Sequence, residues 1–272
     1  MADPSCFDVA YVINVHMEGQ VGAVDTQLAY QQWDRLRQVY EELGFAVFVL
    51  EAVSDLPDLV FTANQCFPLR NDQGARVVIP SRMHAEQRRA EVPIVRAFFE
   101  EAGYIVEELP ASVSRFESMG DALWHPGRRL IYGGWGQRTA QEAYAHISQI
   151  AGAPVVLFEL LDPRFYHLDT CLSVIHETCA VAFPGAFTAD GWNLLKQCFP
   201  DLIEVSQDDA VQRFACNGHS PDGRHFIVEP GCDGLMEALE ERGITTIEVA
   251  TSEFRKSGGS VFCMKMMWDE TA

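Results

Sequence analysis

Basic residues are scarce in this chain: 20 Lys and Arg stand against 39 Asp and Glu, a formal net charge of -19 over 272 residues. That balance argues against a nucleic-acid backbone or an anionic membrane surface as partner, and suits the approach of a small cation. Long apolar runs are missing too. No stretch of about 18 apolar residues occurs, so no membrane span is expected, and the opening Met1-Ala2-Asp3-Pro4 has neither the basic nor the apolar part of an export signal. None of the eight cysteines forms a CxxC pair, and His16, His84 and His146 are not spaced as zinc ligands. No metal or organic cofactor is therefore expected. The thiols read as reduced, most of them core fillers in a cytoplasmic protein. Also absent are GxGxxG and GxxxxGKS, the glycine-rich cradles for nucleotide phosphates. Nothing selects between a monomer and a homo-oligomer.

What is present begins with enough apolar material, 48% hydrophobic and 22% charged, for a single globular domain spanning residues 1–272. A helix-turn-strand phrase recurs along it. Leu28, Trp33, Leu36, Val39 and Leu43 keep helical spacing behind an N-cap at Asp25, Gly44 supplies the stop, and Phe45 to Leu50 read as a fully buried strand. The phrase returns with stops at Gly103, Gly152, Asp201 and Gly243, making five units. A helix and one buried strand cannot hide their apolar faces alone, so the units are expected to pack around a common centre. A doubly wound parallel sheet is the alternative, weakened by the missing phosphate loops.

Each unit carries a polar segment beyond its strand: Leu56 to Asn64, Phe116 to Asp121, Phe165 to Asp169, Phe214 to Gly218 and Lys256 to Cys263. Units related by rotation would bring these segments to one end of the axis. Asp58, Asn64, Glu117, Asp121, His167, Asp169 and Cys263 would then meet. A thiolate is a strong nucleophile and a histidine can shuttle the proton its leaving group needs. Carboxylates crowded around a thiol suppress the thiolate unless the substrate is itself a cation. A planar guanidinium fits that requirement, since its N–H groups match paired carboxylates.

The motifs Leu-Pro-Asp…Phe-Thr-Ala-Asn (56–64), Arg-Arg-x-Glu (88–91), Gly-Asp (120–121), His-x-Asp (167–169) and Gly-Gly-x-x-x-Cys (258–263) resemble the guanidino-group-modifying superfamily of pentein fold. Asn14-Val15-His16-Met17, Phe116 to Leu123 and Tyr166-His167-Leu168-Asp169-Thr170-Cys171 look most like its arginine dihydrolase branch, as does Asn64 where deiminases and dimethylargininases usually carry Asp. The resemblance implies an α/β fold, a five-bladed α/β-propeller. It implies Cys263 as nucleophile forming an amidino-thioether, His167 as acid and base, and Glu117 and Asp169 as holders of the guanidinium, with Asp58 and Asp121 beside them. Asn64 and Asn14 would permit a second hydrolytic round, and Arg88 and Arg138 would grip the substrate carboxylate. Ser118, Gln65-Cys66 and Val261-Phe262 depart from the pattern and bear on substrate identity rather than reaction class. Dimethylargininase and arginine deiminase, both giving citrulline, are the alternatives within the class. A non-catalytic pentein binding protein is the alternative outside it. Asp121 alone reads equally well as a structural carboxylate.

Overall fold

Helix α1 (Thr26–Glu42) forms as its pattern requires: the Asp25 carboxylate accepts from the Leu28 N–H at 3.0 Å, and Trp33, Leu36, Val39 and Tyr40 are buried along one face. Gly44 at φ 89° ends it, a left-handed position that favours glycine. The following run does not form the expected strand. Phe48 and Val49 are 49% and 44% exposed, and only Leu50 pairs, in an isolated parallel bridge to Ala2. A short apolar run reads alike whether it lies in a sheet or walls a surface cleft, and here it walls a cleft.

The computed structural model describes residues 1–268. Its strands fall into four sheets. In the first, β1 (Cys66–Arg70) and β2 (Arg76–Pro80) form an antiparallel hairpin, helix α2 (Val92–Glu101) crosses over, and β3 (Ile105–Val106) returns parallel to β2. The second repeats this with β4 (Ala122–Trp124), β5 (Ile131–Trp135), α3 (Ala143–Ala151) and β6 (Val155–Glu159). The third does so with β7 (Leu172–His176), β8 (Cys179–Ala182), α4 (Ala189–Cys198) and β9 (Asp201–Glu204). After the short helix α5 (Gln207–Gln212), the fourth keeps β10 (His225–Val228), α6 (Asp233–Glu240) and parallel β11 (Thr245–Glu248). Its hairpin is reduced to one bridge, His219 to Ile227. A parallel return needs a crossover, which is why helix and strand alternate so regularly in the sequence. The mixed α/β character expected from the sequence is therefore present, while the α1 unit contributes no sheet of its own among the described residues.

The strands matter less for function than the one-turn 3-10 segments leading into them: Pro57–Val60, Ser118–Gly120, Leu168–Thr170 and Ala215–Asn217. The Ser118–Gly120, Leu168–Thr170 and Ala215–Asn217 turns pack in succession against one another. Backbone bonds tie them to the segment after helix α7 (Ser252–Arg255), with Ala63 N–H donating to Cys263 O at 3.2 Å and Phe262 N–H to Asn217 O at 2.8 Å. Met119 N–H donates to Ala63 O at 2.9 Å, so segments from four units meet within a few bonds.

Two of these turns hold a non-glycine residue in the left-handed region, Ser118 and Phe214. Ser118, where the resemblance implies glycine, has φ 47°, and its hydroxyl bonds the Ser81 hydroxyl, which also donates to Asn64 O at 2.5 Å. Ser118→Ala keeps the strain and removes the bond, and is expected to lose about 1 kcal/mol of stability. Ser118→Gly relieves the strain and is expected to lie above Ser118→Ala by roughly 1 kcal/mol in urea unfolding. Equal midpoints for the two variants would refute this account.

Candidate active site

The converging turns line a narrow pocket whose wall carries Asn14, Asp58, Asn64, Arg88, Arg138 and Cys263. Glu117, His167 and Asp169 stand one contact behind that wall, against Arg138, Tyr166 and Cys263 respectively, with Asp121 behind them. A larger cleft of ≈ 1150 Å³ lies beside Phe45 to Phe48. It carries neither the thiol nor the imidazole, so size does not mark the site; chemistry does.

Cys263 is 2% exposed. Its sulfur donates to Asp169 Oδ2 at 3.4 Å and accepts from Asn217 Nδ2 at 3.2 Å. Asn217 in turn accepts from the Ser260 and Cys263 N–H groups at 2.9 and 3.4 Å, fixing the loop that presents the thiol. Burial, then the nearby Asp169 charge, pushes the thiol well above its usual range. Burial likewise raises Asp169 to about 7, despite the hydrogen bond from Cys263. Both shifts favour the protonated forms, a bias that a nearby cation reverses.

Two glycines make this loop. Gly258 has φ 90°, and a side chain there would meet Asn14 and Tyr166. At Gly259 an added methyl would sit 2.4 Å from the Phe61 ring. Tyr166 donates to Gly258 O at 2.6 Å and stacks at 4.9 Å, tilted, on the His167 ring.

His167 lies on the turn with Asp169, 1% exposed. Its Nε2 bonds Glu117 Oε2 at 2.7 Å, leaving Nδ1 buried without a partner. Arg138 donates to the same carboxylate oxygen at 3.3 Å and to Ile13 O at 2.8 Å, its guanidinium 4.8 Å from the Tyr166 ring centre. The His84 N–H donates to the other Glu117 oxygen at 2.9 Å. Burial alone would raise the Glu117 carboxyl; Arg138 and the His167 contact hold it well below the usual carboxylate range instead.

The remaining predicted residues divide. Asp121 accepts from Leu168 N–H at 3.0 Å, so it braces the His167 turn from behind, and burial raises it to about 7. Both Asp58 oxygens are taken, by Tyr11 and Ser257 hydroxyls at 2.9 Å each. Asn14 accepts from His16 N–H and donates to Ser257 O, each at 2.9 Å, fastening the first segment to the Gly-Gly loop. Arg88 is 4% exposed and directs its donors inward, to Glu91 at 2.8 Å, Asn64 Oδ1 at 2.9 Å and the Asp58 and Phe61 carbonyls. Asn64 is thereby oriented with Nδ2 unpartnered, flanking the same face of Gly120 as His167 Nδ1. Sequence reasoning missed Asn217 as an individual residue, although its segment was among the converging five; it also gave Glu91 no separate role.

Unpartnered buried polar atoms are uncommon and call for an explanation. Asn64 Nδ2, His167 Nδ1 and Asp169 Oδ1 are such atoms here. Among the described residues, no cluster of three or more His, Cys, Asp or Glu side chains could hold a metal ion. No helix among them is long and apolar enough to cross a membrane.

A family model for eukaryotic N,N-dimethylarginine dimethylhydrolases matches residues 14–268. The dimethylarginine dimethylaminohydrolase of Mycobacterium tuberculosis is 37% identical over 97% of this chain and 83% of its own. The bifunctional arginine dihydrolase/ornithine cyclodeaminase ArgZ of Synechocystis is 35% identical over 98% of this chain, which spans only 37% of that protein. Among solved structures, a cysteine-to-serine mutant of the ArgZ N-terminal domain bound to substrate superposes with a TM-score of 0.90 at 34% identity, covering 97% of this chain and 95% of that one. A dimethylarginine dimethylaminohydrolase carrying an S-methyl-L-thiocitrulline adduct superposes at 0.79 and 23% identity, covering 97% and 96%, a likeness of fold alone.

Proposed function

The chain belongs to the N,N-dimethylarginine dimethylhydrolase family, hydrolases acting on C–N bonds of arginine-type guanidino groups, and from that premise we propose that it is an arginine dihydrolase, converting arginine to ornithine, carbon dioxide and two ammonia. The five units serve as the blades of one pentein domain around the cavity. The observation that carries the reading is the set of unpartnered atoms: Asp169 Oδ1 and His167 Nδ1 are acceptors without donors, and Asn64 Nδ2 is a donor without an acceptor. An unsubstituted guanidinium supplies N–H groups to the first two. Two methyl groups on one nitrogen would leave such an acceptor dry and unpaired, a loss of about 1–3 kcal/mol.

Cys263 attacks the guanidinium carbon and its proton passes to the basic groups beside it. Nδ1 of His167 then delivers a proton to the departing nitrogen, while Glu117 holds Nε2 and so fixes which ring nitrogen faces the reaction. Ammonia leaves, and Cys263 holds an amidino-thioether. Water, deprotonated by His167, displaces the sulfur and gives citrulline. In the second round Asn64 Nδ2 donates to the ureido oxygen, a neutral acceptor that an aspartate there would repel. Arg138, anchored over Tyr166, takes the substrate carboxylate, and Arg88 orders Asn64. Incubation with arginine followed by product identification tests this: ornithine with two ammonia per arginine is expected. Citrulline with one ammonia would select the deiminase. Turnover of dimethylarginine with arginine ignored would select the dimethylargininase.

Binding should also release a proton. Asp169 sits at about 7 because of its burial, so it is largely protonated below that pH, and an arriving guanidinium stabilises the ionised form. Below pH 7 apparent affinity is expected to fall by up to about tenfold per pH unit. Calorimetric titration of Cys263→Ser with arginine, in buffers of different ionisation heat, reads the proton directly. Buffer-independent heats near pH 6 would contradict the assignment.

A further inference from the structure

We propose that Lys265 is a positioning residue for the nucleophile: its buried side chain, two residues beyond Cys263, supplies the positive potential that lets the Cys263 sulfur and the Asp169 carboxylate carry charge side by side. The inference rests on the reading of Cys263 as nucleophile given above. Lys265 is 4% exposed, although lysine is almost never so buried unless paired. Its Nζ lies 3.2 Å from the centre of the ring of Phe262, the residue before the nucleophile in the chain. Among the described residues it makes no ion pair and its Nζ makes no hydrogen bond. Burial pushes its amine down to about 7, and the charges that pull it back are those of Asp169 and Cys263.

The other groups around it offer no rival charge. His219 stands edge-on to Phe262 at 5.5 Å, its Nδ1 bonded to the Tyr40 hydroxyl at 2.9 Å. Burial, and then Lys265 itself, push that imidazole well below its ordinary range, while burial pushes the Tyr40 phenol far up, so both are neutral. Met1 lines the same cleft as Lys265 and Tyr40, and burial lowers its amino group to about 5, so it is uncharged near neutrality. Lys265 is thus the group of this pocket able to carry positive charge near neutrality. Asn217 gives the sulfur only a neutral dipole. Two anions 3.4 Å apart repel strongly at low dielectric, and a cation behind them offsets this before substrate arrives.

The test is the rate at which iodoacetamide, an uncharged probe that brings no cation, alkylates Cys263, followed by peptide mass spectrometry from about pH 6 to about pH 10. For Lys265→Met the rate at pH 7 is expected to fall at least about tenfold, with the profile displaced to higher pH. Lys265→Arg keeps the charge and is expected to restore the wild-type profile. At saturating arginine the deficit in turnover is smaller, because the guanidinium replaces the missing charge. Superimposable profiles for wild type and Lys265→Met overturn the proposal. Should Lys265→Met fail to fold, the ε-carbon chemical shift of Lys265 in labelled wild-type protein reads the same coupling. Removing the neighbouring carboxylate in Asp169→Asn must lower the pH at which Lys265 titrates; an unchanged titration overturns the proposal. Alkylation at Cys263 with no turnover of arginine would instead sink the functional reading and leave this one standing.

Discussion

Replacing Cys263 by serine is expected to lower arginine turnover by about four orders of magnitude or more, with substrate affinity changed only a few-fold. The reasoning is local. Serine fits the space and can keep the contacts to Asp169 and Asn217 now made by the sulfur. What it lacks is acidity. Even the buried thiol, pushed up by its surroundings, becomes an anion once a guanidinium lies beside it, whereas a hydroxyl does not. If Cys263 were core packing, the substitution would be close to isosteric and would leave turnover within a few-fold. Ammonia release and arginine depletion, measured together, separate the two outcomes.

Glu117→Gln is expected to damage both stability and rate. The Glu117 carboxylate, wholly buried, receives Arg138, His167 and the His84 N–H. Removing its charge leaves the Arg138 guanidinium buried against a carbonyl and a ring face. Breaking a buried pair from one side costs about 3–5 kcal/mol, or roughly 10 °C in melting temperature for a chain of this size. Turnover is expected to fall by about 10²–10⁴ because His167 loses the partner that sets its tautomer. The pH dependence has a definite sign. The Glu117 carboxyl titrates below its unfolded value, so its stabilisation is present above the ordinary carboxylate range and is lost on acidification below it. The stability gap between wild type and Glu117→Gln must therefore hold from neutrality down to the ordinary carboxylate range and narrow progressively as pH falls below it. A gap that stays constant from neutrality to acid would mean that the carboxylate charge contributes nothing.

The helix ends were legible because their signals are local: the cap at Asp25 and the left-handed glycines at 44, 103, 152 and 243 each appear where expected. Phe45 to Leu50 misled because an apolar run does not say whether a sheet or a cleft will use it. Cys263, His167, Glu117 and Asp169 could be found because several motifs in fixed order constrain one another. Only the family resemblance singled out Arg88, because Arg and Glu three residues apart are the usual dress of an exposed helix. Its burial depends on Asn64 and the Asp58 turn, which lie far away in sequence. Asn217 has only a flanking glycine to mark it, and its hold on Ser260 and Cys263 appears only when two distant loops are brought together. Lys265 carried no sequence signal at all: a lysine two residues past a cysteine says nothing until its depth is known.

The most direct measurement is rapid acid quenching of the enzyme during arginine turnover, followed by mass spectrometry of the peptide containing residue 263. The account predicts a mass increase corresponding to a covalent arginine-derived adduct on Cys263, absent from Cys263→Ser. Steady turnover with no adduct on that peptide, or an adduct on another cysteine, would contradict it.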